Sequence, residues 1–178
     1  MIILPATIAT LLLSYLFVVG GCQKLGDTAN FQHVVSDYKI LPETWSPLLA
    51  RLLPFIEVCA GLALLVPVVR GTALVLLAAL LATYTAAIAI NIFRGRLDID
   101  CGCAGPGQEQ TISTWLLGRN TVLMLSALLA YSAIEGEVLG PVGWSIAFLG
   151  TALAALMYHA FNQLIANKNL LQRIAHHG

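Results

Sequence analysis

The chain has 178 residues, of which 58% are hydrophobic and 10% charged, with basic and acidic side chains in balance. Soluble domains carry about 25% charged residues, so an ordinary water-covered surface is excluded, in keeping with a mean hydropathy of +0.84. A net charge of +0 also argues against nucleic acid as a partner.

The apolar residues come in long runs, and about 20 such residues suffice to cross a bilayer. A first span is predicted over residues 2–21, uncharged and rich in Leu, Val and Ile. No Lys or Arg precedes it and no A-x-A site follows, so it reads as a retained span rather than a cleaved signal peptide. At Gly20-Gly21-Cys22-Gln23-Lys24 the chain turns polar, opening a loop that runs to Pro47. Within it Phe31, Val34, Val35, Tyr38 and Leu41 recur at helical spacing, which predicts a short amphipathic helix on the membrane surface. A second span, 48–69, holds Arg51, Pro54 and Glu57, with Cys59 near mid-depth. Pro54 removes the helical hydrogen bond to the Ala50 carbonyl and favours a kink. Arg70-Gly71 leads into a third span, 72–93, whose alanines suit the centre of a bundle. Arg94-Gly95-Arg96 ends it, and a polar loop follows over 94–113. A fourth span is predicted over 114–134, with Arg119 and Asn120 in its first turns. Glu135-Gly136-Glu137 then turns the chain into a fifth, 142–165, containing His159. The expected fold is all-α: one polytopic membrane helix bundle of five transmembrane helices, a four-helix core plus one, forming a single domain over 1–178. Five spans place loop one, the 94–113 loop and the tail on one side.

The 94–113 loop carries Asp98-Ile99-Asp100-Cys101-Gly102-Cys103-Ala104-Gly105-Pro106-Gly107, the longest polar, turn-rich run in the chain. Cys101 and Cys103 can close a small strained ring, with Gly102 supplying the backbone freedom. Strain eases reduction, so the pair fits a redox couple; an inert structural bridge is the plainer alternative. Two thiolates make an incomplete zinc site and no further Cys or His lies near in sequence, so no metal site is assigned; copper(I) transfer is the remaining metal reading. The attacking thiolate would be favoured by Arg94, Arg96 or Arg119 and opposed by Asp98 and Asp100.

A carboxylate inside a span faces a partner or a cavity. Glu57 is therefore either a helix-tying group paired with Arg51 or Arg119, or a proton relay or orienting group for the redox centre. Arg119 reads as an interfacial anchor or, more sharply, as a guanidinium that pairs with Glu57 and stabilises a thiolate, with Asn120 a second polar group facing the bundle. Cys22 and Cys59 are possible secondary thiols, but small buried hydrophobes is the plainer reading. Cys59 lies about 16 Å along the helix from Leu48, at about 1.5 Å per residue. A bridge from it to Cys22 would need Cα atoms within about 7 Å. His159 reads as an interhelical hydrogen-bonding residue, and His176-His177 as tail.

The order Gly21-x-x-Lys24, Tyr38-x-x-Leu41-Pro42, Leu53-Pro54-x-x-Glu57-x-x-x-Gly61-x-x-Leu64-Leu65, Arg94-Gly95, Cys101-Gly102-Cys103-x-Gly105 and Arg119-Asn120 resembles the methylamine utilisation protein MauE family, related to the DoxX-like membrane proteins. The resemblance covers about residues 10–130. It implies a multi-pass protein of the bacterial inner membrane acting with a periplasmic thioredoxin-like partner, MauD, to mature the disulfide-rich small subunit of methylamine dehydrogenase. Carried over, Cys101 and Cys103 are the redox pair, and Glu57, Arg119 and Lys24 are polar residues around the bundle mouth. Ala104 departs from the phenylalanine expected there, and Cys22 and Cys59 lie outside the family pattern.

The expected function is a membrane thiol–disulfide oxidoreductase working through the Cys-Gly-Cys pair, with a quinone as electron acceptor by analogy with other membrane thiol oxidases. The rivals are a non-catalytic assembly factor with a structural disulfide and a copper(I)-transfer protein. Lys24, Lys39, Arg94, Arg96, Lys168 and Arg173 all fall on the cysteine side, which the positive-inside rule would put in the cytoplasm. The redox chemistry and the family place that side outside, and this orientation is the one adopted.

Overall fold

The computed structural model describes residues 2–102, 111–134 and 139–177, the side chains of 166 and 168–177 excepted. Six α-helices account for nearly all of this: α1 (Ile3–Gly26), α2 (Thr28–Asp37), α3 (Ser46–Ala63), α4 (Arg70–Phe93), α5 (Thr114–Ser132) and α6 (Pro141–His177). No strand occurs among the described residues, only an isolated bridge between Asp100 and Thr111.

Four stretches are long and apolar enough to cross a membrane: Ile3–Gly26, Glu43–Ala63, Pro67–Phe93 and Pro141–Ile165. The chain is thus a multi-pass membrane protein by length and composition. α5 falls below that standard because Arg119 and Asn120, both buried, sit in its first half. Nor does the diglycine of α1 stop it: the helix runs on past Gly20, Gly21 and Lys24 to Gly26, so Lys24 is a helical residue and not a loop residue. Asp27 then leaves helical geometry and caps α2, accepting a hydrogen bond from the Asn30 amide at 3.2 Å.

The core is shared by four helices. Leu13 and Phe17 of α1, Ala60 of α3, Leu74, Leu77 and Leu81 of α4, and Leu123 and Ala127 of α5 form one buried cluster. The alanine-rich α4 does not take the central position expected of it. α1 does, packing against α3, α5 and α6, whereas α4 packs mainly on α5 and less on α3. The reason is glycine placement. A Cβ on Gly21 would lie 2.7 Å from Val58 Cγ2 and 2.9 Å from the Pro54 carbonyl oxygen. One on Gly61 would lie 2.9 Å from Val18 Cγ2. Each helix thus presents a glycine to the other, the close approach that membrane helices favour, and Ser14 Oγ donates to the Gly61 carbonyl at 2.8 Å across the seam.

α6 lies outside this core and meets α1 through Gly150 against Ile8. There the Tyr15 hydroxyl and His159 Nε2 are 3.2 Å apart, in an edge-on ring contact, which makes His159 the interhelical residue expected. The short amphipathic helix of loop one is α2. It is no free surface helix, because Phe31 and Val34 are buried with Ala50 of α3. Leu41 lies beyond its end and is exposed. The turn at Glu135-Gly136-Glu137 and the side chains of Lys168, Arg173, His176 and His177 lie outside the described residues.

Two neighbouring glycines separate the effects of packing and propensity. Gly21→Ala should cost about 1–3 kcal/mol by overpacking against the Pro54 backbone. Gly20→Ala has nothing within 4 Å to meet and should be neutral or stabilising by up to about 1 kcal/mol. Thermal unfolding of the two variants in detergent reads the difference.

Candidate functional site

α1 and α3 bring Lys24 and Glu57 together at one end of the bundle. Lys24 Nζ donates to Glu57 Oε1 at 2.6 Å and to Oε2 at 2.8 Å. Glu57 is 2% exposed and the Lys24 side chain 14%. From α4 the Tyr84 hydroxyl donates to Glu57 Oε1 at 2.5 Å. The ammonium also sits 5.1 Å from the Tyr84 ring centroid and 5.3 Å from that of Phe31, distances at which ring faces attract a cation. The carboxylate is thereby satisfied by one charged and one neutral donor, which an ionised group needs this far from water.

The ion-pair partner of Glu57 is therefore neither of those expected. Arg51 is exposed on the outer side of α3, beside Leu48 and Phe55. It stands six residues from Glu57, or about 240° around a helix of 3.6 residues per turn. Arg119 is buried, and its guanidinium donates to Asn120 Oδ1 at 3.3–3.4 Å. Asn120 in turn donates to Thr85 Oγ1 of α4 at 3.2 Å. Arg119, Asn120, Glu57, Lys24 and Tyr84 nevertheless line one interior cavity of about 80 Å³, closed on another side by Tyr158 of α6. The family resemblance placed Glu57, Arg119 and Lys24 around one mouth, with Asn120 a polar group facing the bundle, and all four line this pocket. Tyr84 and Tyr158 line it too, and Thr85 bonds to Asn120; nothing in an apolar sequence run singled these three out.

The sulfur loop is fixed at its neck. The Ile112 amide donates to the Ile99 carbonyl at 2.9 Å, and Ile99, Cys101 and Ile112 are buried with Ile88 and Leu116. Asp100 Oδ1 accepts from the Gly102 amide at 3.1 Å, and the Tyr38 hydroxyl donates to the Cys101 carbonyl at 3.4 Å. Gly102 has a φ of +65°, and a Cβ there would lie 2.9 Å from Val34 Cγ1 and 3.2 Å from Phe31 Cε2. Only glycine suits both restrictions. Cys101 is 7% exposed; Cys103 lies outside the described residues. Arg94 and Arg96, considered as thiolate-stabilising cations, instead donate to the carbonyls of Lys39 at 3.2 Å and Tyr38 at 3.5 Å. Arg96 also donates to Asn91 Oδ1 at 3.2 Å.

Beneath the loop lies an apolar cavity of about 160 Å³. Cys101 and Gly102 form part of its wall, with Phe31, Val34 and Tyr38 from the α2 side and Leu53 and Ile88 opposite. Lys24 and Tyr84 line this cavity as well as the one shared with Glu57 and Arg119, so they stand between the two. Cys22 and Cys59 are free thiols on exposed faces of α1 and α3. Their reading as small buried hydrophobes is therefore corrected: in a bilayer-sized bundle both point outward.

Two substitutions test this arrangement. Lys24→Met should destabilise the protein by about 3–5 kcal/mol, since it strands a buried carboxylate, while Lys24→Met with Glu57→Leu should recover much of that loss; a double-mutant cycle on unfolding in detergent measures it. Gly102→Ala should cost about 1–2 kcal/mol from left-handed backbone alone, read as faster protease cleavage within the 94–113 loop.

The chain is similar in sequence to known proteins over most of its length. The family described as "Methylamine utilisation protein MauE" matches residues 1–133. The chain is 38% identical over 126 residues to the methylamine utilization protein MauE of Paracoccus denitrificans, covering 71% of this chain and 68% of that one. It is 33% identical over 142 residues to the protein of the same name from Methylorubrum extorquens, covering 79% and 76%. To that of Methylophilus methylotrophus it is 36% identical over 151 residues, covering 84% and 77%. No solved structure matches the chain. The matched segment contains every helix that contributes to the sulfur loop, the ion pair and the two cavities, apart from Tyr158, and on these grounds the chain belongs to the methylamine utilisation protein MauE family.

Proposed function

We propose that this protein is a membrane thiol–disulfide oxidoreductase of five spans, α5 being the fifth, in the bacterial inner membrane. Its Cys101–Cys103 pair faces the periplasm and exchanges disulfides with a thioredoxin-like partner of the MauD kind. The clients are proteins with many disulfides, such as the small subunit of methylamine dehydrogenase. The observation that carries this reading is the position of Cys101: held by a clamped loop neck at the bundle mouth, on the wall of an apolar cavity.

The chemistry is disulfide exchange. A thiolate of the reduced partner attacks one sulfur of the Cys101–Cys103 disulfide, giving a mixed disulfide and one free cysteine thiolate. The partner's second thiolate then attacks the mixed disulfide. The partner leaves oxidised, and the cysteine pair has gained two electrons and binds two protons. The acceptor that fits the site is a quinone of the bilayer. The cavity is apolar, of a size for one aromatic ring, and carries an ammonium and a phenol among its walls. Phe31, Val34 and Leu53 would hold such a ring, with Lys24 and Tyr84 as its polar neighbours. When bound, a quinone supplies a two-electron, two-proton sink.

One of the basic residues on the loop side, Lys24, is neutralised within the bundle by Glu57, which lowers the positive charge that side presents.

In membranes, Cys101→Ser and Cys103→Ser should each reduce oxidation of a reduced thioredoxin-like substrate to the uncatalysed rate. Unchanged rates in both would overturn the assignment. Asp98 is exposed beside the loop, so an Asp98→Cys variant in a background without native cysteines should react with an impermeant thiol reagent added to intact cells. Labelling only after lysis would reverse the orientation.

A further inference from the structure

Lys24 lines three spaces at once. The first is a small surface pocket shared with Asp27, Asp100 and Gly102. The second is the apolar cavity walled by Cys101. The third is the interior cavity shared with Glu57, Arg119 and Asn120. Tyr84 joins the last two. Glu57 lines only the third, with Lys24 Nζ on both carboxylate oxygens and the Tyr84 hydroxyl on Oε1. Lys24, beside Gly102 of the sulfur loop, and Tyr84 are thus joined through one carboxylate, and both line the apolar cavity. A helix tie would need only the ion pair; a phenol that donates to the same oxygen and also lines the apolar cavity adds a third proton-exchanging group at its wall.

We propose that Lys24, Glu57 and Tyr84 form a proton relay that carries the protons released at the sulfur pair to the electron acceptor in the apolar cavity. This rests on the oxidoreductase reading above. Re-forming the Cys101–Cys103 disulfide releases two electrons and two protons, and a quinone-class acceptor takes up both. For each proton, Tyr84 turns its hydroxyl from Glu57 Oε1 and gives its proton into the cavity, then recovers one through the Glu57 carboxylate. Lys24 passes an ammonium proton to Glu57 and takes one freed at sulfur. After two such transfers all three groups are as they began. The other charged and titratable groups facing the relay are Asp27 and Asp100 beside Lys24, Arg119 of α5 and Tyr158 of α6 beside Glu57, and Tyr38 in the apolar cavity. Arg51 and Cys59 of α3 face outward.

The test uses the full-length protein in detergent with a short-chain benzoquinone as probe. First, exchange between the wild-type pair and a reduced thioredoxin-like protein is measured without quinone; its absence would sink the oxidoreductase reading itself. Second, reoxidation of the reduced pair by the benzoquinone should slow by about a hundredfold in Glu57→Gln and in Tyr84→Phe and change its pH profile, as for loss of a proton-transfer group. Should Glu57→Gln fail to fold, Tyr84→Phe, which keeps the ion pair, decides alone. A wild-type rate and pH profile in Tyr84→Phe would leave Lys24 and Glu57 as a structural tie and end the relay.

Discussion

A carboxylate buried in a membrane bundle has to be matched by charge and by hydrogen bonds, and the Lys24–Glu57 pair is what the surrounding packing serves. Gly21 is one turn before Lys24 on the same face of α1, and Gly61 one turn after Glu57 on the same face of α3. These two glycines let the backbones approach until a lysine on one helix reaches a glutamate on the other. A bulkier residue at either place would press on the facing helix and lengthen the reach between the two charges. Tyr84 then recruits α4 to the same carboxylate, so three helices are registered by one group.

The pair also settles where the sulfur loop can sit. Lys24 is near the end of α1, and the chain needs only Asp27 to turn into α2. α2 is thereby held over the bundle, with Phe31 reaching back toward Lys24. Its Phe31 and Val34 form the floor on which Gly102 rests. From the opposite direction, Arg94 and Arg96 at the end of α4 grip the carbonyls at the end of α2. A loop that looked like a free excursion between spans is thus attached at its neck, with Cys101 facing inward over an apolar space.

How much of this the sequence disclosed depended on what each residue interacts with. Apolar runs report a helix's own environment, so each long helix appeared, but its ends did not: α1 runs on to Gly26, α3 stops at Ala63 and α6 continues to His177, against expected ends at 21, 69 and 165. The amphipathic spacing of Phe31 and Val34 revealed α2. The diglycine misled, because in lipid a Gly pair marks a packing surface as readily as a helix end. The partner of Glu57 was harder. Arg51 could have been discarded from the helical angle between it and Glu57. Choosing Lys24 over Arg119 required knowing that α1 stays helical through residue 24 and that α1, not α4, holds the centre. Tyr84 left no mark at all, since a tyrosine within an alanine-rich span reads as one more apolar residue until a carboxylate is found beside its hydroxyl. Cys59 was legible only in depth; which way a residue faces depends on neighbours that a single helix does not specify.

The chain order of the ion pair bears on how the protein is made. Glu57 follows Lys24 by 33 positions, so the ribosome delivers the cation before its counterion exists. α1 must therefore keep its ammonium at a wet interface, or within the insertion machinery, until α3 emerges beside it. The helical hairpin they form is the earliest unit in which that charge can be sheltered. The late arrival of α6, which touches α1 on a different face, then completes a bundle whose polar centre has already been closed.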